Sequence, residues 1–164
     1  MPIRLQSRAR RALLALGMAL GSALLGGAPA TSQTEPASPP LPRIELQAGI
    51  HVIRAEVAQD FASRARGLMF RDALAPNHGM IFVFEQAARQ CFWMRNTRIP
   101  LSAAFLDDSG RIVNIADMQP MSDDSHCSAA PVRFVLEMEQ GWFARRGLRE
   151  GSRLTGPRGL FSTP

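Results

Sequence analysis

The feature of this chain that most constrains its fold is a series of short segments in which apolar residues alternate with other residues. Alternation with a period of two places the apolar side chains on one face of a β-strand. Between two of these segments, Asp107-Asp108-Ser109-Gly110 has the composition of a tight turn. Six strands are predicted, at residues 50–57, 79–84, 91–94, 103–106, 111–116 and 132–138.

Two short helices are predicted beside these strands. Asp60 is suited to cap a helix that runs to about Arg66, in which Asp60 and Arg64 lie one turn apart. A second helix is predicted at residues 142–146, because a glycine follows it as a stop signal. Many strands with two short helices indicate a small α+β domain that is mostly β.

The N-terminal segment, residues 1–30, has the composition of a signal peptide. Four arginines lie in the first eleven residues and are followed by an apolar run at residues 12–25. Ala28-Pro29-Ala30 is a small-x-small cleavage pattern. We therefore expect a mature chain that begins at Thr31, lies in the periplasm or is secreted, and is not stably inserted in a membrane. A retained anchor is the alternative, although a bilayer span needs about 20 apolar residues. Adjacent arginines at positions 10 and 11 leave twin-arginine export open beside the general route.

Removal of the signal peptide changes the charge of the protein. The full chain has 19 basic residues, all arginine, and 14 acidic residues, which gives a formal net charge of +5. Four of the arginines lie in the signal peptide, so 15 basic and 14 acidic residues remain and the mature chain is almost neutral. Nucleic-acid binding needs a clustered basic face, and the remaining arginines are scattered. We therefore do not expect a nucleic-acid partner.

The mature chain is predicted to contain one domain. Residues 31–42 include four prolines and few large apolar groups, which favours an extended tether. Residues 43–155 are sufficient for one modest hydrophobic core, but not for two. Residues 156–164 are expected to form a flexible tail. We expect the domain to be a monomer.

Cys91 and Cys127 are the two cysteines of the chain. Export to an oxidising compartment favours a disulfide, so these residues are predicted to be bonded to each other. Free thiols and a metal site are the alternatives.

The metal alternative is a Cu(I) site. Met118 and Met121 precede His126 and Cys127, and thioether, imidazole and thiolate groups are ligands that bind Cu(I). Methionine also fills gaps in hydrophobic cores, which is the competing interpretation of the same residues. The histidines at 51, 78 and 126 lack the spacing of a zinc motif. No phosphate-binding or dinucleotide motif is present in the sequence, so no cofactor is expected.

The segment FWMRNT, residues 92–97, joins aromatic bulk to a polar turn. Trp93 offers an aromatic plane, while Asn96 and Thr97 bring hydrogen-bonding groups beside it. Alternation in the last predicted strand places Glu137 on the face away from the main core, where an arginine from the first helix can pair with it. The predicted site for a small polar molecule or peptide consists of Arg64, Trp93, Asn96, Thr97 and Glu137.

Two other interpretations of these residues remain open. In the first, Trp93 lies in the core, Asn96 and Thr97 shape a turn, and an Arg64–Glu137 pair ties the first helix to the sheet. In the second, carboxylates at 107, 137 and 139 form a hydrolytic site. The sequence does not give the separation of these carboxylates, so enzymatic activity is left open.

Four blocks of the sequence resemble successive blocks of a known family. They are RARGLMFR at 64–71, GMIFVF at 79–84, FWMRNTRIPLSAAFLDDSGRIV at 92–113 and VRFVLEMEQGWFARRGLREG at 132–151. In order and spacing they are similar to the bacterial and archaeal family named domain of unknown function 192. The resemblance implies a compact, barrel-like, β-rich fold in proteins that are often exported and have no established activity. We therefore expect a non-catalytic binding or accessory module, with a carboxylate-dependent hydrolase and a Cu(I)-handling protein as alternatives.

The N-terminus of the fractionated protein tests the export prediction. We expect protein recovered from the periplasm to begin at Thr31, because signal peptidase cleaves after a small-x-small pattern. N-terminal sequencing measures this directly. Protein that still carries residues 1–30 in the inner membrane would contradict the prediction and indicate an anchored domain.

Overall fold

The computed structural model describes residues 40–161. The predicted signal peptide and most of the predicted tether lie outside these residues. No helix in the described part of the chain is both long and apolar enough to span a bilayer. The strands are β1 (Arg43–Ala48), β2 (His51–Ala58), β3 (His78–Ala88), β4 (Cys91–Phe92), β5 (Leu101–Leu106), β6 (Ile112–Met118), β7 (His126–Cys127) and β8 (Val132–Glu139). The helices are α1 (Phe61–Arg66) and one turn of 3-10 helix (Ala144–Arg146).

Six of the strands form one mixed sheet in the order β1-β2-β3-β8-β5-β6. β2 and β3 run parallel, and the other neighbours in this sheet are antiparallel. β8 lies in the middle of the sheet, although it is the last strand in chain order. β4 and β7 form a separate ladder in which Cys91 faces Cys127 and Phe92 faces His126. The prediction of a mostly β domain with about six strands and one or two short helices is confirmed.

The sheet is not closed into a barrel, which corrects the barrel-like expectation. Its two edges are β1 and β6. Residues 151–155 lie along part of each edge. Gln47 and Thr155 exchange backbone hydrogen bonds at 2.8 and 2.9 Å, and the Ile112 N–H donates to the carbonyl of Ser152 at 2.8 Å. This segment covers the edges without joining them into a continuous ladder.

The predicted strands differ from the observed strands mainly at their ends. β3 continues to Ala88, because it pairs with β8 through an irregular register after Val83. The strand predicted at 91–94 is limited to its first two residues, since the N–H of Met94 donates to the carbonyl of Ser122 in a loop. The sequence pattern does not predict β1 or β7.

Hydrophobic cores cover both faces of the sheet. This explains why every residue of β5 is buried, since a strand in the middle of a two-sided sheet has no solvent face. The first core includes Ile53, Ile81, Leu136, Trp142 and Phe143. The second core, on the opposite face, includes Leu68, Phe82, Met94, Phe105 and Val135.

The helix caps and the tight turn follow the sequence signals. The Asp60 carboxylate accepts from the Ser63 N–H at 2.9 Å, and the Ser63 hydroxyl accepts from the Asp60 N–H at 3.2 Å, which is a capping box. The second predicted helix is one 3-10 turn, which ends at Gly147 with a φ of 67°. Asp107 closes the β5–β6 turn by accepting from the Ser109 N–H at 2.9 Å.

In the C-terminal segment, residues 156–159 are exposed, whereas the two apolar residues that follow them pack on the first core. Leu160 and Phe161 are partly buried there, and the Phe161 ring meets the Phe134 ring edge to face at 5.0 Å. Two apolar residues in isolation have no periodic pattern, so sequence reasoning misses this contact. The last three residues lie outside the described part.

Cys91 and Cys127 are joined by a disulfide across the β4–β7 ladder, with their Cα atoms 4.0 Å apart. We expect no free thiol in denatured protein before reductant is added, and two afterwards. In the chain-entropy model, a crosslink over 36 residues stabilises the fold by roughly 4 kcal/mol. Urea unfolding with and without reductant should therefore show a loss of that order.

A Cys91→Ser/Cys127→Ser double variant is the control for the disulfide prediction. Its unfolding should not respond to reductant, because it contains no bond to break. Two titratable thiols in oxidised protein purified from the periplasm would contradict the pairing.

Candidate functional site

A cleft of about 410 Å³ opens on the face of the sheet that carries the second core. Its volume is suited to a small molecule. One wall is α1 with the residues that follow it, and the other wall is residues 91–93. Phe82 of β3 and Glu137 of β8 contribute to the floor. Its other distinctive lining residues are Phe61, Arg64, Phe92, Trp93 and Thr97.

The helical wall is tied to the sheet at several points. Gly67 follows α1 with a φ of 48°, and a Cβ added there would lie 3.3 Å from the Phe82 ring. Leu68 is then buried in the second core. Further along, Arg71 donates to both oxygens of Glu56 of β2, at 2.9 and 2.6 Å. Hydrogen bonding by this guanidinium lowers the pKa of Glu56, so the ion pair persists well below neutral pH.

Three residues that adjoin lining residues, or are hydrogen-bonded to one, have left-handed backbone. Phe70, Asn96 and Met121 have φ values of 64°, 60° and 58°. The Phe70 N–H donates to the Asn96 carbonyl at 2.9 Å, and the Met121 N–H donates to the Thr97 carbonyl at 3.0 Å. Asparagine adopts this conformation readily, whereas phenylalanine and methionine do so at an energetic cost. Such local strain is often found at functional sites.

Trp93 forms part of the open rim of the cleft. It is 50% exposed, so the interpretation that places it in the core is wrong. The Arg95 guanidinium lies 4.4 Å from the centre of the Trp93 ring, and its Nε donates to Asp123 at 2.8 Å. Phe61, at the start of α1, is 83% exposed and also lines the cleft. The two aromatic residues give the cleft an apolar rim.

The floor of the cleft contains a buried acidic residue, Glu137. It is 4% exposed and lies between Met80 of β3 and Ala103 of β5. Burial raises its pKa to about 8, and no residue between 40 and 161 offsets this with a hydrogen bond or a positive charge. The carboxyl group is therefore mostly protonated at neutral pH and can both donate and accept. Glu137 lies away from the first core, as expected, but the second core covers this face and buries it.

Arg64 does not pair with Glu137, which corrects the expected tie between them. Its guanidinium donates to the carbonyls of Gln59 and Val83 at 2.6 and 2.9 Å. It also forms an ion pair with Glu85 at 3.2 Å. Arg64 therefore ties α1 to β3, while it lines the cleft beside Glu137.

The structure brings four of the five predicted site residues together. Arg64, Trp93, Thr97 and Glu137 line the cleft, and Thr97 is buried. Asn96 is not among the lining residues. Its left-handed backbone shapes the turn that presents its neighbours to the cleft.

Several aromatic lining residues are not predicted from the sequence. Phe82 and Phe92 stand in apolar strands and look like core residues. Phe61 carries a usable signal, since the helix FASRAR has no apolar stripe that needs an aromatic residue. An isolated aromatic on such a helix is a candidate for a binding surface.

The three carboxylates of the hydrolase alternative do not meet. Asp107 lies four residues beyond Ala103, which is the β5 neighbour of Glu137; this corresponds to about 13 Å along the strand. The Asp107 carboxylate is used in its own turn, where it accepts from the N–H groups of Ser109 and Arg111. Glu139 is exposed and forms an ion pair at 3.1 Å. Among the three, Glu137 is the carboxylate that lines the cleft.

The residues of the Cu(I) alternative are also used in other ways. Met118 is enclosed in the second core, whereas Met121 is 61% exposed. Cys127 is bonded to Cys91, so it presents no thiolate to a metal. Between residues 40 and 161, no group of three or more His, Cys, Asp or Glu residues is arranged to hold a metal ion.

The buried carboxyl group of Glu137 should make the domain less stable as the pH rises. Its pKa of about 8 in the folded protein exceeds the ordinary value of 4.5, so unfolding releases a proton between these pH values. The free energy of unfolding should therefore decrease by up to roughly 1.4 kcal/mol per pH unit across this window. Urea unfolding at about pH 5.5 and about pH 8 measures the change.

Glu137→Gln is the test variant, because it keeps the shape of the side chain and removes its titration. We expect its stability to depend much less on pH than that of the wild type. Glu139→Gln, on the same strand but exposed, should behave like the wild type. The other ionisable groups are common to the wild type and Glu137→Gln, so the difference between these two proteins isolates Glu137. Equal pH dependence in the wild type and Glu137→Gln would contradict the prediction.

Comparisons with known proteins identify a family and similar structures. The model of the domain of unknown function 192 family, described as an uncharacterized ACR, matches residues 43–156. No curated protein matches the chain.

Two solved structures are similar over most of the domain. A protein from Sinorhizobium meliloti 1021, described as a "putative transcription regulator", is 36% identical with a TM-score of 0.65, over 70% of this chain and 92% of that chain. A protein of unknown function from Novosphingobium aromaticivorans DSM 12444 is 36% identical with a TM-score of 0.66, over 74% of this chain and 89% of that chain. The family match and these similarities agree, and the chain belongs to the domain of unknown function 192 family.

Proposed function

We propose that this protein is an exported, monomeric, non-catalytic binding module that holds a small polar molecule or peptide in the cleft between α1 and the β4–β7 ladder. The observation that carries the proposal is Glu137, a buried acid at the floor of an open cleft without a partner among residues 40–161. Folded proteins normally satisfy their buried polar groups. A buried group that remains available at the floor of a cleft is therefore suited to a ligand.

The rim of the cleft supports recognition as well. Phe61 and Trp93 expose aromatic surface to solvent, and such surface gains free energy when a ligand covers it. Thr97, a residue with a hydroxyl group, belongs to the same lining. An apolar rim with a few polar groups below it is the usual composition of a small-molecule site.

The lining favours binding over catalysis. It includes one carboxylate, and its cysteine is in a disulfide. A paired-carboxylate mechanism would need a second acid nearby, and nucleophilic catalysis would need a base beside the nucleophile. The raised pKa of Glu137 is a property of general acids, and it keeps a carboxylate-dependent hydrolase as the second candidate.

Periplasmic or secreted localisation is part of the proposal. The signal-peptide pattern supports it, and so does a cysteine pair at bonding distance, since oxidising compartments preserve disulfides.

Nucleic acid is not among the proposed partners, although one similar structure carries the description of a transcription regulator. Many arginines of this chain are paired with acids, so their charge is locally balanced. Nucleic-acid binding needs a clustered basic face instead. The ion pairs include Arg43–Glu56, Arg54–Glu45, Arg71–Glu56, Arg98–Asp72 and Arg133–Asp108.

The two tryptophans provide a test of ligand binding. Trp93 lines the cleft, whereas Trp142 is buried in the first core and its indole N–H donates to Asn77 at 3.0 Å. In a nitrogen–proton correlation spectrum, we expect at least one member of a defined panel to shift the Trp93 indole signal and leave that of Trp142 in place. The panel contains amino acids, short peptides, amines, carboxylates and sugars.

Variants then locate the binding site. Trp93→Leu and Thr97→Val should each weaken binding by about tenfold, because loss of a contact that anchors a ligand costs about 1.4 kcal/mol or more. Arg158→Ala, at an exposed position in the C-terminal segment, should have no effect. Unfolding midpoints of all variants verify that they are folded. A panel that leaves the Trp93 signal unchanged at millimolar concentrations would contradict the proposed function.

A further inference from the structure

The sheet provides no positive charge to the floor of the cleft. Glu137 has Met80 beside it on β3 and Ala103 beside it on β5, and both are apolar. On β8, the next acid on the same face is Glu139, which is exposed and forms its own ion pair. A carboxylate at position 137 therefore has no counter-ion from the strands that surround it.

The helical wall brings two arginines near the cleft, but neither neutralises Glu137. The guanidinium of Arg64 is held by Glu85 and by two backbone carbonyls. Arg66 is exposed at the end of α1, where solvent and salt screen its charge. Burial alone accounts for the raised pKa of Glu137, and no positive group among residues 40–161 lowers it.

Aromatic rings occupy much of the remaining lining. Phe82, Phe84, Phe92 and Trp93 all border the cleft. Two rings of this group already hold cations of the protein, since guanidinium groups lie 5.2 Å from the centre of Phe84 and 4.4 Å from that of Trp93. Aromatic faces attract cations through their quadrupole, and most strongly where water is excluded.

We propose that the cleft binds a small organic ammonium ion, a primary amine on an apolar body, with Glu137 as its counter-ion. This inference rests on the proposed function and adds the chemical class of the ligand. The apolar body lies between the aromatic rim residues, and the ammonium group donates hydrogen bonds to the Glu137 carboxylate. The ligand therefore supplies the positive charge that the protein does not place beside Glu137.

Binding of the ammonium ion is coupled to loss of a proton. The free carboxyl group is mostly protonated at neutral pH, so it releases its proton to solvent when it pairs with the cation. Affinity for the ammonium ion therefore rises with pH until Glu137 is ionised. A primary ammonium group itself remains charged to about pH 10. A neutral or anionic head group shows no such rise, since neither gains from an ionised Glu137.

Three probes that share one apolar body test the proposal on the disulfide-bonded protein. They are 2-phenylethylammonium, 2-phenylethanol and phenylacetate, which carry positive, neutral and negative head groups. At about pH 8.5 we expect the ammonium ion to bind about tenfold or more tightly than the other two, because it gains a charge-assisted hydrogen bond. Between about pH 6 and about pH 9 its affinity should rise by up to about a hundredfold. Calorimetric titration in two buffers with different ionisation enthalpies should show release of about one proton per ligand at neutral pH.

Glu137→Gln is the matched variant and Glu139→Gln its control. Glu137→Gln should bind the three probes with affinities within about twofold of one another, since it cannot become an anion. Glu139→Gln should keep the preference and the pH dependence of the wild type. Urea unfolding of both variants verifies that the fold is retained.

The outcomes separate this inference from the proposed function. If 2-phenylethanol or phenylacetate binds as tightly as the ammonium ion and shifts the Trp93 indole signal, the ligand class is wrong and the binding module stands. If Glu137→Gln retains the preference for the ammonium ion, the assignment of Glu137 is overturned. If none of the three probes shifts Trp93, the ammonium proposal is overturned, while the broader panel decides the proposed function.

Discussion

The rest of this structure depends on one constraint, which is that a hydrophobic core covers each face of the sheet. The first and second cores leave β5 without an exposed residue and β8 almost without one. In such strands a polar side chain is removed from water whichever way it points, and an ionised group there is strongly disfavoured. Glu137 lies in one of these strands, so the packing that stabilises the domain also creates an acid that is neutral at physiological pH.

Local signals explain how much of the fold the sequence can predict. Alternation in β2 and the cap residue Asp60 are local properties of the sequence, and the elements that they predict are present. β7 has two residues and exists only through its pairing with β4, so no local pattern identifies it. The cover of the sheet edges likewise depends on residues that are distant in sequence, since Gln47 pairs with Thr155 and Ile112 with Ser152. Pairings of this kind depend on topology rather than on propensity.

In the candidate site, too, the residue types can be predicted from the sequence, whereas the contacts between distant residues cannot. Residue types identify Trp93 and Thr97 as candidates, because aromatic and polar groups together suit a binding surface, and strand alternation adds Glu137. Partners are harder to predict, since Arg64 reaches Glu85 and two carbonyls once α1 is docked on β3. Asn96 acts through its backbone, and a side-chain pattern does not distinguish this from a ligand contact. Phe82 has the appearance of a core residue because its ring belongs to both the core and the cleft.

The place of β8 in the sheet also has a consequence for a chain that is still being synthesised. β1, β2 and β3 form one contiguous group and β5 with β6 forms a hairpin, and these two halves share no ladder until β8 enters between them. During synthesis this strand follows all the others, so a partial chain has unpaired strand edges and lacks the floor of the cleft. The acid of the cleft arrives on the strand that completes the sheet. The proposed ligand site is consequently complete only in chains whose last strand has joined the sheet.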